Sequence, residues 1–105
     1  MATTHKLLSS GQLGSSVANI YDPSSVTGLV KTIVLHNTNS SAETAEILFD
    51  GPADADKMLK VVLVENETFE WALGHMVVVL EDEVLKGKST TASKVNYFIF
   101  GAEEA

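Results

Sequence analysis

The sequence predicts an all-β protein, an antiparallel β-sandwich or jelly roll of about seven or eight strands. Three observations predict this fold: apolar and polar residues alternate over short segments, β-branched residues are frequent there, and turn-forming residues separate the segments. The 105 residues suit one domain with one core. We expect an extended N-terminal arm and edge strand over residues 1–25, a sandwich body over 26–101 and a polar tail over 102–105.

The N-terminal segment MATTHKLLSSGQLGSSVANIYDPSS is rich in Ser, Thr and Gly and carries isolated leucines. Gly11 and Gly14 disfavour a helix, and Asp22-Pro23 marks a turn before the body. We therefore expect an extended arm or an edge strand. Such an arm is suited to adding as a strand to the sheet edge of a neighbouring chain.

The next segment, GLVKTIVLHN, is predicted to form a strand with two apolar faces. Strict alternation places Leu29, Ile33 and Leu35 on one face, and Val30 and Val34 on the other. A strand that is apolar on both faces lies inside a sheet with material on each side, or meets a partner subunit.

The segment ETAEILFD alternates in the same way, and Asp50-Gly51-Pro52 ends it. A helix is the alternative here, because Ser40 and Glu43 have the spacing of a capping box. We favour the strand, since the segment is short for a helix.

Five further strands are predicted between polar or glycine-containing breaks. Their sequences are MLKVVLV, TFEWAL, MVVVL, VLKGKS and KVNYFIFG. A break at Gly74-His75 separates the second from the third. The aromatic residues of these segments have strand spacing, which favours core packing over a stacking platform; they are Phe69, Trp71, Tyr97, Phe98 and Phe100.

The charge balance excludes several classes of partner. Seven lysines, no arginine and fourteen acids give a net charge of −7, which disfavours nucleic acid and anionic membranes. We expect no membrane span and no secretion signal, because long apolar runs are lacking. The absence of cysteine excludes disulfides and cysteine-ligated metals.

No residue pattern predicts catalysis, a metal or a cofactor. His5, His36 and His75 lack a second ligand at the spacing of a helix-borne metal motif. The acidic loop 50–56 departs from a calcium-binding loop, so we expect it to be solvated. The chain also lacks a nucleophile-elbow motif and a phosphate loop. We therefore expect a protein that is not an enzyme.

Several stretches resemble a group of small tailed-bacteriophage virion proteins of about a hundred residues. The stretches are GQLGSSVANIYDPSSVTGLVKTIVLHNT, ETAEILFDG, FEW and KVNYFIFGAEEA. The matching residues are Gly11, Gln12, Leu13, Tyr21, Pro23, Val30, Lys31, Ile33, Leu35, Asn37, Thr38, Val95, Asn96, Tyr97 and Gly101. These are strand-and-turn signatures that cover most of the chain.

The resemblance implies a β-sandwich that is a structural part of a phage particle, found in the virion and assembled in the host cytoplasm. We expect a capsid decoration, or cement, protein that binds the outer head surface and stabilises it. A tail or baseplate structural module is the first alternative. A carbohydrate- or receptor-binding module that uses Trp71 and loop 50–56 is the second.

The expected partners are the major capsid protein or other virion proteins, and further copies of the chain, with a trimer favoured. Five apolar residues are the interface candidates, because they are the isolated leucines of the arm and the second apolar face of segment 28–37. They are Leu7, Leu8, Leu13, Val30 and Val34.

Overall fold

Two antiparallel four-stranded sheets pack face to face and form the fold. A computed structural model describes residues 5–104 apart from the side chain of His75, so residues 1–4 of the expected arm and residue 105 of the expected tail lie outside the described residues. The strands are β1 (Lys6–Gln12), β2 (Ala18–Tyr21), β3 (Thr27–Asn37), β4 (Glu43–Phe49), β5 (Lys57–Leu63), β6 (Thr68–Val79), β7 (Leu85–Ser89) and β8 (Val95–Glu104). A short 3-10 helix, Asp54–Asp56, precedes β5.

The strand order is that of an eight-stranded jelly roll. One sheet has the order β1-β8-β3-β6 and the other β2-β7-β4-β5. The first strand therefore pairs with the last, the second with the seventh, and so on inward to the β4–β5 hairpin. This is one long antiparallel ribbon rolled up on itself. The predicted all-β sandwich is confirmed, and so is a strand over the ETAEILF segment.

The core lies between the two sheets and is built by alternation along the strands. Val95, Tyr97 and Ile99 of β8 point inward, whereas Phe98 and Phe100 between them are exposed. Residues from all eight strands and the β1–β2 loop complete the core or pack against it. Because apolar burial is the main favourable contribution to folding, this layer is the main source of stability.

A bulge in β3 changes which of its residues face inward. Val30 pairs with Gly101 of β8 and Thr32 with Phe100, so Lys31 is an extra residue on β3. An extra residue shifts the alternation by one. Val30 consequently joins Ile33 in the core, and Leu29 lies on the outer face, opposite to the faces that strict alternation predicts.

A wider bulge replaces the predicted break at Gly74-His75. In β6, Ala72 pairs with Thr32 and Val77 with Val30, so residues 73–76 lie opposite the single residue Lys31. The segments TFEWAL and MVVVL therefore belong to one edge strand, which continues beyond the bulge instead of ending there.

Of the extended arm and edge strand expected over residues 1–25, the structure shows the edge strand. Strand β1 pairs with β8 of the same chain and β2 pairs with β7, so both are edge strands of the sandwich itself. Leu13 is 1% exposed and is part of the core. Residues 6–12 are thus paired within the chain, through the edge of β1 that faces β8.

The segment 102–105, expected to be a polar tail, belongs to the sandwich as far as Glu104. Strand β8 continues to Glu104. The Glu103 carboxylate accepts a hydrogen bond from the Tyr21 hydroxyl at 2.8 Å and pairs with the Lys6 ammonium at 2.9 Å. These contacts tie the ends of β1, β2 and β8 together. The Lys6 and Tyr21 contacts hold the pKa of Glu103 below its usual range, and burial, with Glu103 beside it, raises the pKa of Tyr21.

Residues that carry the resemblance pair with one another across the β1–β8 ladder. Gly11 lies opposite Tyr97, and a Cβ at Gly11 would lie 3.0 Å from the tyrosine hydroxyl. Gln12 Nε2 donates to Asn96 Oδ1 at 3.0 Å. A Cβ at Gly101 would collide with the carbonyl oxygen of Leu29 beside the β3 bulge. These residues therefore contribute to the pairing and close approach of the strands.

Candidate interaction surface

The two outer faces of the sandwich differ in chemistry. On the β1-β8-β3-β6 sheet, three adjacent cross-strand rows point away from the core. The rows are Leu29, Ala102 and Val78; Leu7, Phe100, Thr32 and Ala72; and Ser10, Phe98, Val34 and Glu70. We call these three rows the apolar face. Glu70 is the one charged residue in them.

Large apolar side chains of the apolar face are accessible to solvent. Leu7 is 47% exposed, Val78 46%, Phe100 39% and Phe98 36%. Leu29 and Val34 are partly exposed between them. Isolated exposed apolar residues are ordinary, but contiguous ones mark interaction surfaces. The register of the sheet makes these residues contiguous, so this face is the candidate functional site.

The opposite outer face, on the β2-β7-β4-β5 sheet, carries lysines. Glu46 lies between Lys60 and Lys88 across the strands, and Leu48 lies between Lys57 and Lys86. Leu48 is fully buried although it belongs to this outer face. Lysine stems commonly cover apolar surface while their ammonium groups stay in water. Charged side chains therefore cover apolar surface on this face, which is not so on the apolar face.

A shallow depression of about 270 Å³ lies on the lysine-bearing face. It is lined by Ser15, Thr44, Glu46, Lys88, Ser89 and Thr90. Glu46 Oε1 makes no hydrogen bond within the described residues and has the Lys57 ammonium at 3.3 Å. That ammonium is also 2.9 Å from Asp54, which raises the pKa of Lys57 and lowers that of Asp54. The depression is polar and open to solvent. Its carboxylate, that of Glu46, is already paired with the Lys57 ammonium.

The structure divides the five interface candidates between the surface and the core. Leu7 and Val34 lie on the apolar face. Leu13 and Val30 are 1% and 0% exposed, and Leu8 packs against the core. Leu13 and Val30 are therefore unavailable to a partner, which corrects their assignment, whereas Leu8 is partly buried. Bulges at Leu8 and Lys31 turn the adjacent side chains inward, and β1 is part of the sandwich.

Sequence reasoning missed Phe98, Phe100 and Val78 as surface residues. The two phenylalanines were expected in the core with the other aromatics, yet they are exposed. Alternation along KVNYFIFG is the signal that identifies them. It places both phenylalanines on one face of the strand, and Tyr97 and Ile99 on the other face. Val78 had no such signal, because its direction depends on the bulge in β6.

The histidines are not gathered into a site where the structure describes them. His36 Nδ1 is 2.8 Å from Thr68 Oγ1 on the neighbouring strand, His5 is exposed, and the His75 side chain lies outside the described residues. Within residues 5–104, no group of three or more acidic or histidine side chains is arranged to hold a metal. These residues also contain no helix with the length and hydropathy needed to cross a bilayer.

Loop 50–56 uses its carboxylates for its own conformation. Asp50 Oδ1 accepts from the amide of Val84 at 3.3 Å, and Asp56 Oδ2 accepts from the amide of Ala53 at 3.1 Å. Asp54 pairs with Lys57. The three carboxylates therefore point to separate partners, and Trp71, suggested as a sugar platform beside this loop, packs against the core instead.

A second group of polar contacts closes the end of the sandwich beyond β3. The side-chain amide of buried Asn37 donates to the carbonyl oxygens of Ser41, Leu63 and Val64 at 3.0–3.1 Å. Glu43, 2% exposed, accepts from Asn39 and from the amide of Thr91, both at 2.8 Å. Burial alone would raise the pKa of Glu43, but these hydrogen bonds outweigh it and lower that pKa.

Comparison with known proteins identifies no family. No family model matches the chain, and no curated protein matches it. Among solved structures, the chain is similar to part of the structure of infectious bursal disease virus Gt strain, with 10% sequence identity and a TM-score of 0.29. The match covers 96% of this chain and 32% of that chain, so this chain spans about a third of its length.

Proposed function

We propose that the chain is a structural protein of a virus particle, and specifically a decoration protein on the outer surface of a tailed-phage head. The observation that carries the proposal is the apolar face. A face of contiguous apolar side chains, with one charged residue in its three rows, is suited to protein–protein contact. We therefore assign to the apolar face a role in assembling the virus particle.

Two further features support the proposal, of which the charge bears on the head surface as the location. The net charge of −7 without arginine disfavours a position against packaged DNA, whose phosphates attract basic proteins. The resemblance to tailed-phage virion proteins includes two pairs across β1 and β8, Gly11 with Tyr97 and Gln12 with Asn96, so it concerns positions of the fold. Jelly rolls are frequent among viral capsid domains, which is consistent with the proposal by analogy.

The proposed mechanism is mechanical. Many copies bind across boundaries between subunits of the major capsid protein, and the apolar surface is buried where neighbouring copies meet. Each Å² of buried apolar surface contributes roughly 25 cal/mol, so a modest contact repeated over the shell resists expansion of the head. No step of this mechanism needs a cofactor, a metal or a catalytic residue.

The location is tested by mass spectrometry of heads and tails separated from purified particles. We expect the chain in heads, at a copy number comparable with that of the major capsid protein. A few copies found in tails only would overturn the decoration role and favour the tail or baseplate alternative.

The stabilising role is tested on heads assembled without the protein. We expect these heads to release DNA at a lower temperature than complete heads, and added purified protein to restore the release temperature. The control is the same addition to complete heads, which should change nothing. Equal release temperatures with and without the protein would contradict a stabilising role.

A further inference from the structure

We propose that two copies of this chain cover one another's apolar face, so that the protein associates through it into a homodimer. The proposal rests on the proposed structural role, because it names the partner of the same face. The association is tested on the purified chain alone. The association can therefore be disproved while the virion role stands, and the virion role can be disproved while the association stands.

The size of the face fits such an interface. Four strands about 4.8 Å apart are roughly 19 Å wide, and three rows two residues apart extend about 20 Å along the strands at ~3.3 Å per residue. The flat footprint is therefore about 400 Å², and side-chain relief raises the accessible area toward the ~600 Å² per partner at the lower end of specific interfaces. A smaller occupant, such as a single peptide strand, would leave much of it exposed.

The distribution of charge favours a second copy over an acidic or basic partner. Acids are concentrated in three loops at one end of the sandwich, residues 22–26, 50–56 and 80–84, and four lysines lie on the opposite outer face. Glu70 is the only charged residue in the rows of the apolar face. Two copies therefore meet there without bringing their loop carboxylates together, so little of the repulsion from the net charge opposes contact.

The shape of the face is suited to contact with itself. It belongs to a sheet, and sheets pack face to face about 10 Å apart with interdigitating side chains. Phe98 and Phe100 project from β8, an inner strand, and their neighbours Val34 and Thr32 on β3 are smaller. Large and small side chains side by side provide ridges and hollows that two copies can fill reciprocally, as an interface between identical surfaces requires.

The proposal is tested by measuring the mass of the purified chain as a function of concentration, with analytical ultracentrifugation. We expect a dimer of the 11.2 kDa chain that dissociates on dilution. Phe98→Glu should weaken association at least about 100-fold, since every copy brings a carboxylate into the contact. The matched control is Val62→Glu, at an exposed position on the lysine-bearing face, which should associate like the unmodified chain.

A second measurement does not depend on how Phe98→Glu folds. The chain has no cysteine, so Ala72→Cys places a single thiol in the middle row of the apolar face and Val62→Cys places one on the other face. Maleimide should react more slowly with the first thiol as protein concentration rises, and at a constant rate with the second. A chain that stays monomeric up to millimolar concentration, or equal behaviour of the two thiols, overturns the proposal.

Discussion

At the scale of single residues, Asn37 joins the end of β3 to two neighbouring segments. It is fully buried, its two amide hydrogens serve three carbonyl oxygens, and its own oxygen accepts from the amide of Asn39 at 2.8 Å. A buried amide with all its hydrogen bonds made fixes the conformation around it. The sequence indicated a turn at this position from residue type, but not that the side chain reaches β5, which requires the tertiary fold.

Asn37→Asp is expected to lower the free energy of unfolding by about 3 kcal/mol or more, because a carboxylate would face carbonyl oxygens in place of the donating amide. Urea denaturation of the purified variant measures this. The control is Asn66→Asp, at an exposed turn position whose left-handed backbone, φ 59°, suits aspartate equally well. A loss of less than 1 kcal/mol for Asn37→Asp would mean that its amide does not hold these segments together.

Stability should fall in acid through Glu103, among other carboxylates. Contacts with Lys6 and Tyr21 lower the pKa of Glu103 in the folded chain, so its contribution is complete above the unfolded value near about 4.3 and is lost as pH falls through the folded value. Glu103→Gln should therefore flatten the decline of melting temperature below about pH 4.3, and Lys6→Gln should flatten it partly. An unchanged acid decline in Glu103→Gln would contradict this assignment.

At the scale of elements, alternation predicted which segments are strands but not the face of every residue. In β8 the alternation is unbroken through Phe100, so the inward positions follow directly from KVNYFIF. In β3 the extra residue Lys31 reverses the faces of Leu29 and Val30. A bulge depends on the close approach of two strands distant in sequence, so the local pattern of β3 does not contain it. Because the bulges of β3 and β6 are not visible in the local sequence, the residues of the apolar face could be predicted only in part.

Gly101→Ala should disrupt this β3–β8 bulge and cost about 3 kcal/mol of unfolding free energy, because the new methyl group would meet the backbone of Leu29 and Val30, which cannot rotate away. Gly74→Ala is the matched control, since a Cβ there has no neighbouring atom within 4 Å. The control should lie between no change and about 1 kcal/mol of stabilisation. Equal melting temperatures for the two variants would show that the bulge adapts without strain.

At the scale of the whole molecule, the jelly roll is closed by its two ends. Strand β1 is held by β8, the last strand, and the β1–β2 loop is held by hydrogen bonds from Ser93 and Ser89 to Leu13 and Gly14. Pairs so distant in sequence form late and cost much chain entropy. The sequence predicted the two layers, but it left open whether the N-terminal segment is an arm or an edge strand, because its polar composition suits both.

Deleting residues 1–13 distinguishes an edge strand from an arm. A free arm could be removed without effect on the body, whereas the structure predicts that the deletion exposes the backbone edge of β8 and leaves the site of Leu13 empty. Losing one buried leucine alone costs about 2–5 kcal/mol, a large part of the 5–15 kcal/mol that stabilises a typical domain. We therefore expect no cooperative thermal transition in the truncated chain by circular dichroism. The Leu13→Ala variant should melt well below the unmodified chain. A truncated chain that melts like the full-length chain would show instead that residues 1–13 are a free arm.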